Sequence, residues 1–167
     1  MSAMMYCRRH ALGLIGACLL AIPAAPVSVR AGDAPPGSVR DNVVAMVEDA
    51  AAAVDEHGFP RALIRTGGEL WRRPDLGLYV FVLDPSGNLL LHPDRRGEGR
   101  NVIAAQDTQG KPFIRDIIST ATAAAGHGVW TRYQWADARS GEPGTKHTYS
   151  KAAGGVIVSV GYVATIS

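Results

Sequence analysis

Apolar positions follow two different rhythms along this chain. Val43, Met46, Val47, Ala50 and Val54 recur at steps of three and four, the period of one helix face. Ser38 stands just ahead of them. Asp41 follows three residues later in the spacing of a capping box, with Asp in place of the commoner Glu or Gln. Gly58, with Pro60 close behind, is chemistry that ends a helix. A second helix is expected over 61–71. The helical step returns at Phe113, Ile114, Ile117, Ile118 and Ala121, opened by Pro112 and followed by Gly126.

Between the helices the rhythm shortens. Leu78–Leu83 is apolar with little alternation, as expected of a central strand covered on both faces. Asp84-Pro-Ser-Gly87 is turn chemistry: proline presets its backbone angle and glycine accepts the left-handed position. Residues 89–92 then return as the second strand of a hairpin, and 94–110, rich in charge and glycine, form a long loop. Residues 128–136 alternate, with Val129, Thr131, Tyr133 and Trp135 on one side and Trp130, Arg132 and Gln134 on the other. A polar connection over 137–145 leads to strands at 146–151 and 156–166, the latter interrupted by Gly161. The sum is α+β, with an antiparallel sheet of five strands, an N-terminal helix and one flanking helix.

The first thirty residues break both rhythms. Arg8 and Arg9 precede an apolar run over 11–22, then prolines and small residues up to Val29-Arg-Ala31. This is the layout of a secretory signal peptide. The apolar run is too short to cross a bilayer as a helix. We expect a leader over 1–31, a linker over 32–37 and one domain over 38–167, giving a periplasmic or secreted protein. Ile15-Gly-Ala-Cys18 leaves lipoprotein processing at Cys18 open, and Arg8-Arg9 leaves a twin-arginine leader open.

Composition changes the picture only through that leader. Cys7 and Cys18 both fall inside it, so no disulfide is expected in the mature domain. Arg8, Arg9 and Arg30 fall there too, and their loss takes the formal charge from +2 to −1. Bulk charge therefore gives no case for a nucleic-acid partner. Signatures of phosphate-binding loops, dinucleotide folds and nucleophile elbows are absent. His57, His92, His127 and His147 lack metal-ligand spacing, so no metal or cofactor is expected. No set of nucleophile, base and oxyanion donor is visible, and an enzyme is not expected.

Read in order, several short segments carry more than any does alone. They are Tyr79-Val-Phe-Val-Leu-Asp84, Gly87, Leu91-His-Pro93, Gly99-Arg-Asn101, Asp107-Thr-Gln-Gly-Lys111, Gly126-His-Gly128, Tyr133-Gln-Trp135, Lys146-His-Thr-Tyr149 and Gly161-Tyr162. In this order and spacing the chain resembles the type 2 single Cache domain family of bacterial extracytoplasmic sensors, over about 78–162. The resemblance implies a PAS-like fold: a five-stranded antiparallel sheet with a small-molecule pocket, often for a short carboxylate.

Such an anion needs a cation and directed donors in a partly dry pocket. Lys146 supplies the charge, Tyr133 and Tyr149 hydroxyls, His92 an imidazole, and Trp135 a wall with an N–H; Tyr79 completes the expected ligand-binding set. Each has a plainer role as well. His92 serves equally to end its strand, and Tyr79, Tyr133 and Trp135 serve equally as core. Alternation puts Lys146 and Tyr149 on opposite faces unless a bulge intervenes. Asn101 and Asp107 are expected to pin the long loop.

Three departures from the family pattern shape the functional expectation, one of them an N-terminal helix expected to be short. Ala152-Ala-Gly-Gly155 stands where the family commonly has tryptophan, which implies a smaller wall of core or pocket. No output element follows Ser167 in this sequence. The expected function is thus a chemotaxis-like sensing module that binds a short organic acid and hands its state to a membrane receptor or kinase. The alternative is an accessory subunit of a membrane sensor or transporter with a vestigial pocket.

Overall fold

The computed structural model describes residues 37–67, 69–136 and 141–165. The expected leader over 1–31, Cys18 within it, and the linker up to residue 36 lie outside the described residues.

Helix α1 (Val39–His57) begins where its capping box places it. The Asp41 N–H donates to Ser38 Oγ at 3.2 Å, and the Ser38 N–H donates to the Asp41 carboxylate at 3.0 Å. Gly58 ends the helix at φ 75°, and its N–H donates to the Val54 carbonyl. The same glycine caps α2 (Phe59–Thr66). That helix therefore starts before the expected Arg61 and stops short of Trp71. Gly67 ends it, and a 3-10 turn over Glu69–Trp71 takes up the remainder. Helix α3 (Phe113–Ala123) follows its apolar period closely.

The strands are β1 (Arg72–Arg73), β2 (Leu78–Leu83), β3 (Leu89–Leu91), β4 (Val129–Ala136), β5 (Pro143–Ala153) and β6 (Val156–Thr165). All pairings are antiparallel, in the order β1-β2-β6-β5-β4. The expected five strands are present, and the two-residue β1 makes a sixth. On the edge of β2 away from β6, β1 pairs with Leu78 and Tyr79 while β3 pairs with Val82 and Leu83. β5 is longer than its apolar content suggests and begins at Pro143, within the stretch expected to be a loop.

Both faces of the sheet are covered, which explains the unbroken apolar run of β2. Val80 and Val82 join Val43, Val47, Ala50 and Val54 of α1 in one core. Phe81 and Leu83 join Phe113, Ile114 and Ile117 of α3 in the other. Burying each such Val, Leu, Ile or Phe side chain contributes about 1.5–3 kcal/mol. The turn between β5 and β6 meets the end of α1. A Cβ on Gly154 would lie 2.8 Å from Val54 Cγ1, and the Gly154 N–H donates to Asp55 Oδ1 at 2.7 Å. The small residues at 152–155 thus serve a close helix approach. They stand at the far end of β5 from Lys146, with Ala153 in the α1 core and Ala152 against the α3 core.

The long loop is pinned by the two residues expected to do it. Asn101 Nδ2 donates to the Ser86 carbonyl at 2.8 Å and to Asn88 Oδ1 at 3.0 Å. The Asp107 carboxylate accepts from the N–H groups of Gln109, Lys111 and Gln134. Those bonds, led by the one from Gln134, hold its carboxyl below the usual range. The last of them ties the loop to β4.

Candidate functional site

Strand alternation sorts β5 into two sets. Lys146, Thr148 and Ser150 face α3, while His147, Tyr149 and Lys151 face α1. Cross-strand pairing carries the first set into register with Tyr133 and Thr131 of β4, and with Val163, Gly161 and Ser159 of β6. Five polar side chains on this face are buried: Thr131, Lys146, Thr148, Ser150 and Ser159. The hydroxyls find partners within the sheet, Thr131 Oγ1 donating to the Thr148 carbonyl at 3.5 Å. Tyr133 Oη and Thr148 Oγ1 lie 3.1 Å apart, and Ser159 Oγ donates to Ser150 Oγ at 2.8 Å.

Lys146 is different. It is 6% exposed, and its ammonium donates to Tyr79 Oη at 3.2 Å. Around it are rings: its Nζ lies 5.2 Å from the Tyr79 centroid, 5.4 Å from Trp135 and 5.8 Å from Phe81. Among the described residues no carboxylate forms an ion pair with it. A buried cation without a counter-ion is costly, because the interior does not replace the water it gave up. This one stands beside a cleft of ≈ 310 Å³ lined by Tyr79, Trp135, Lys146, Gly161 and Val163. Val39 and Leu76 contribute to its outer side.

Gly161 explains how the lysine gets there. A Cβ at that position would meet Thr148 Oγ1 at 2.5 Å and Lys146 Cε at 2.9 Å. The missing side chain leaves β6 low enough for the lysine stem to cross it toward Tyr79.

The six expected site residues divide as follows. Tyr79, Trp135 and Lys146 line the cleft. Tyr133 lies beside them, 4% exposed and stacked on Phe113 at 4.3 Å, with Trp135 edge-on to both rings. Burial raises its phenol pKa above the ordinary value. His92 stands behind Tyr79, their rings edge to face at 5.4 Å. Its Nδ1 lies 3.1 Å from the Asp94 backbone nitrogen and 3.3 Å from the Asp94 carbonyl, so it accepts from the one when unprotonated and donates to the other when protonated. Burial, joined by the charge of Lys146, pushes this imidazole below its usual pKa, against a backbone bond to Asp94.

Tyr149 is not brought to this cluster. No bulge interrupts β5, so it lies on the α1 face, as plain alternation requires. There its hydroxyl donates to Glu48 Oε1 at 3.0 Å, and Lys151 also bonds the Glu48 carboxylate. Burial works against that carboxylate, but the bonds from Lys151 and Tyr149 hold its pKa below the usual range. The ring of Tyr149 fills the space above Gly128, where a Cβ would lie 2.0 Å from its Cζ. This is a clamp between helix and sheet.

Phe81, Phe113, Thr148 and Gly161 belong to the cluster and were not expected there. Thr148 shares a face with Lys146 by simple alternation, so the sequence contained that signal. The register that lays Gly161 against Thr148 did not follow from the residues alone.

The fold is shared with solved sensor domains. The periplasmic sensor domain of a chemotaxis protein superposes with a TM-score of 0.62 and 22% identity, over 74% of this chain and 93% of that one. A methyl-accepting chemotaxis protein from Vibrio parahaemolyticus RIMD 2210633 gives 0.56 and 16% identity, over 74% and 87%. A Cache chemosensory domain solved for its carboxylic acid recognition gives 0.59 and 16%, over 74% and 91%. No curated protein matches the chain. The family model for single Cache domain 2 matches residues 43–165.

Proposed function

Because this chain belongs to the single Cache domain 2 family of extracytoplasmic sensor domains, we propose that it binds a small organic anion, a short carboxylate, in the cleft beside Lys146. One observation carries the reading: Lys146 is buried among the rings of Tyr79, Phe81 and Trp135, its ammonium bonded to the Tyr79 hydroxyl, and among the described residues no carboxylate neutralises it. A bound carboxylate supplies the missing counter-ion. Tyr79 Oη already accepts from the ammonium, so its own proton is left to donate to the same anion. Trp135, at 39% exposure, forms the outer wall and limits water at the mouth. The carboxylic acid recognition described for the similar Cache chemosensory domain agrees with this chemistry.

The module in this proposal is exported by the 1–31 leader and passes its state to a membrane receptor or kinase. Among the described residues no helix is long and apolar enough to cross a membrane. The open cleft argues against a pocket closed by its own side chains, as the accessory-subunit alternative requires. Thermal melting of the chain from residue 32 against acetate, propionate, lactate and succinate tests the binding step. A ligand that binds only the folded state must raise the melting temperature in proportion to the logarithm of its concentration. No shift with any of them at millimolar concentration refutes it.

A further inference from the structure

A larger cleft lies on another part of the molecule. It measures ≈ 440 Å³ and opens between α2, β1 and β3. Trp71 and Val80, both buried, form its floor, and Leu63, Leu90 and Leu91, all half-buried, form its walls. Arg72 and Arg95 stand exposed at its mouth.

The cleft exists because the edge of β2 is only partly claimed. β1 pairs up to Tyr79 and β3 from Val82, and among the described residues no strand pairs with Val80 and Phe81 on that side. β3 stops early for a local reason. Pro93 has no N–H to offer, and the His92 N–H is taken by Glu98 Oε1 at 3.2 Å. N–H and C=O groups alternate in direction along a strand, so one residue of the pair Val80–Phe81 turns both groups toward this gap. The floor is therefore apolar, with a main-chain donor and acceptor that neither β1 nor β3 takes.

The charge at the mouth selects what fits. Arg72 has no ion pair among the described residues. Arg95 is held only by Glu98, at 3.3 Å, with its own side chain 83% exposed. With Glu98 included, the lining carries a net positive charge. Guanidinium groups favour planar carboxylates, which they bind through paired hydrogen bonds. Leucine walls and a tryptophan floor favour an aliphatic tail.

We propose that this cleft is a second ligand site, for a monocarboxylate with a medium-length aliphatic tail, its head on Arg72 and Arg95 and its tail over Trp71, Leu90 and Leu91. It does not depend on the Lys146 reading, since the two clefts share no lining residue. His92 stands between them, lining this cleft and touching Tyr79 of the other.

Calorimetric titration with octanoate tests the proposal on the wild-type chain and on three variants. Lys146→Met should leave octanoate affinity within about twofold. Arg72→Ala, at an exposed position that costs little stability, should weaken it about tenfold, the scale of one charge-assisted hydrogen bond. Leu63→Trp, which fills the cleft, should abolish it. Octanol, with the same tail and no charge, should bind at least tenfold more weakly than octanoate. The proposal is overturned if octanoate fails to bind at millimolar concentration, if Lys146→Met removes its binding, or if Arg72→Ala leaves it unchanged. Loss of acetate-sized ligands in Lys146→Met, with octanoate retained, separates the two sites.

Discussion

Replacing Lys146 by methionine separates a binding role from a structural one, because the two predict opposite signs for the stability of the free protein. Methionine keeps the length of the aliphatic stem and removes only the charge. In the free protein Lys146 is 6% exposed, and among the described residues its ammonium bonds Tyr79 Oη. Replacing buried ionic groups by apolar ones of similar volume is neutral or stabilising by about 1–4 kcal/mol. For a domain of this size about 1 kcal/mol moves the melting temperature by roughly 2–5 °C. Lys146→Met should therefore melt at the same temperature as wild type or several degrees higher. Ligand binding should move the other way. Truncating one partner of a buried charged pair costs about 2–5 kcal/mol. At about 1.4 kcal/mol per factor of ten, affinity for the responding short acid should fall at least ~30-fold. Differential scanning fluorimetry reads the first quantity and isothermal titration calorimetry the second. A variant that melts well below wild type while keeping its affinity for the acid would refute the reasoning, since Lys146 would then hold the sheet and not the ligand.

Thr148→Val deprives the buried Tyr133 hydroxyl of its partner and should destabilise by about 1–3 kcal/mol in chemical denaturation. Adding Tyr133→Phe to that variant should recover most of the loss, and failure to do so breaks the pairing argument. Acid melts report on Glu48, whose folded pKa is lowered. Its contribution is fully present above the unfolded value near 4.5 and is lost as pH falls through the folded value, so Glu48→Gln should flatten the stability curve below that pH. His92 also has a lowered folded pKa, so its neutral ring stabilises fully above the unfolded value near 6.5 and less as pH falls below it. His92→Asn should reduce the drop in melting temperature between pH 7.5 and pH 5, and an unchanged drop contradicts this assignment. Gly161→Ala should weaken binding of the short acid by displacing the Lys146 stem, and should destabilise the fold as well, because its Cβ also meets Thr148 Oγ1. Unchanged affinity, measured by calorimetry, would show that the lysine does not need the space left by Gly161.

Much of the fold was legible because its rules are local. The Ser38–Asp41 box, the Gly58 stop and the apolar step of α3 each depend on a few neighbouring residues, and each appears where the pattern put it. What was not legible depends on partners distant in sequence. The 61–71 segment has helix formers on both sides of Gly67, but that glycine ends the helix and Trp71 is drawn into the α1 core. The start of β5 at Pro143 and Gly144 has no apolar signal. It is a strand because β4 and β6 lie on either side and accept its backbone.

β5 shows why the site was only half readable. Its residues 145–151 read as a polar strand, the composition expected of a solvated edge. Pairing with β4 and β6 instead puts it inside the sheet, with helices over both faces. Polar side chains in such a strand must find partners or pay a desolvation cost, and each set found a different kind. On the α1 face, Tyr149 and Lys151 meet Glu48, and the charges close on themselves. On the α3 face, Thr148 and Ser150 meet hydroxyls from β4 and β6. Lys146 alone in this strand is buried with its charge left open, at the one end where a cleft adjoins it. Burial of a lysine follows from its strand partners, and absence of a counter-ion follows from all its neighbours at once. Neither is visible in Lys146-His-Thr-Tyr149, and together they mark the residue on which a small anion is expected to act.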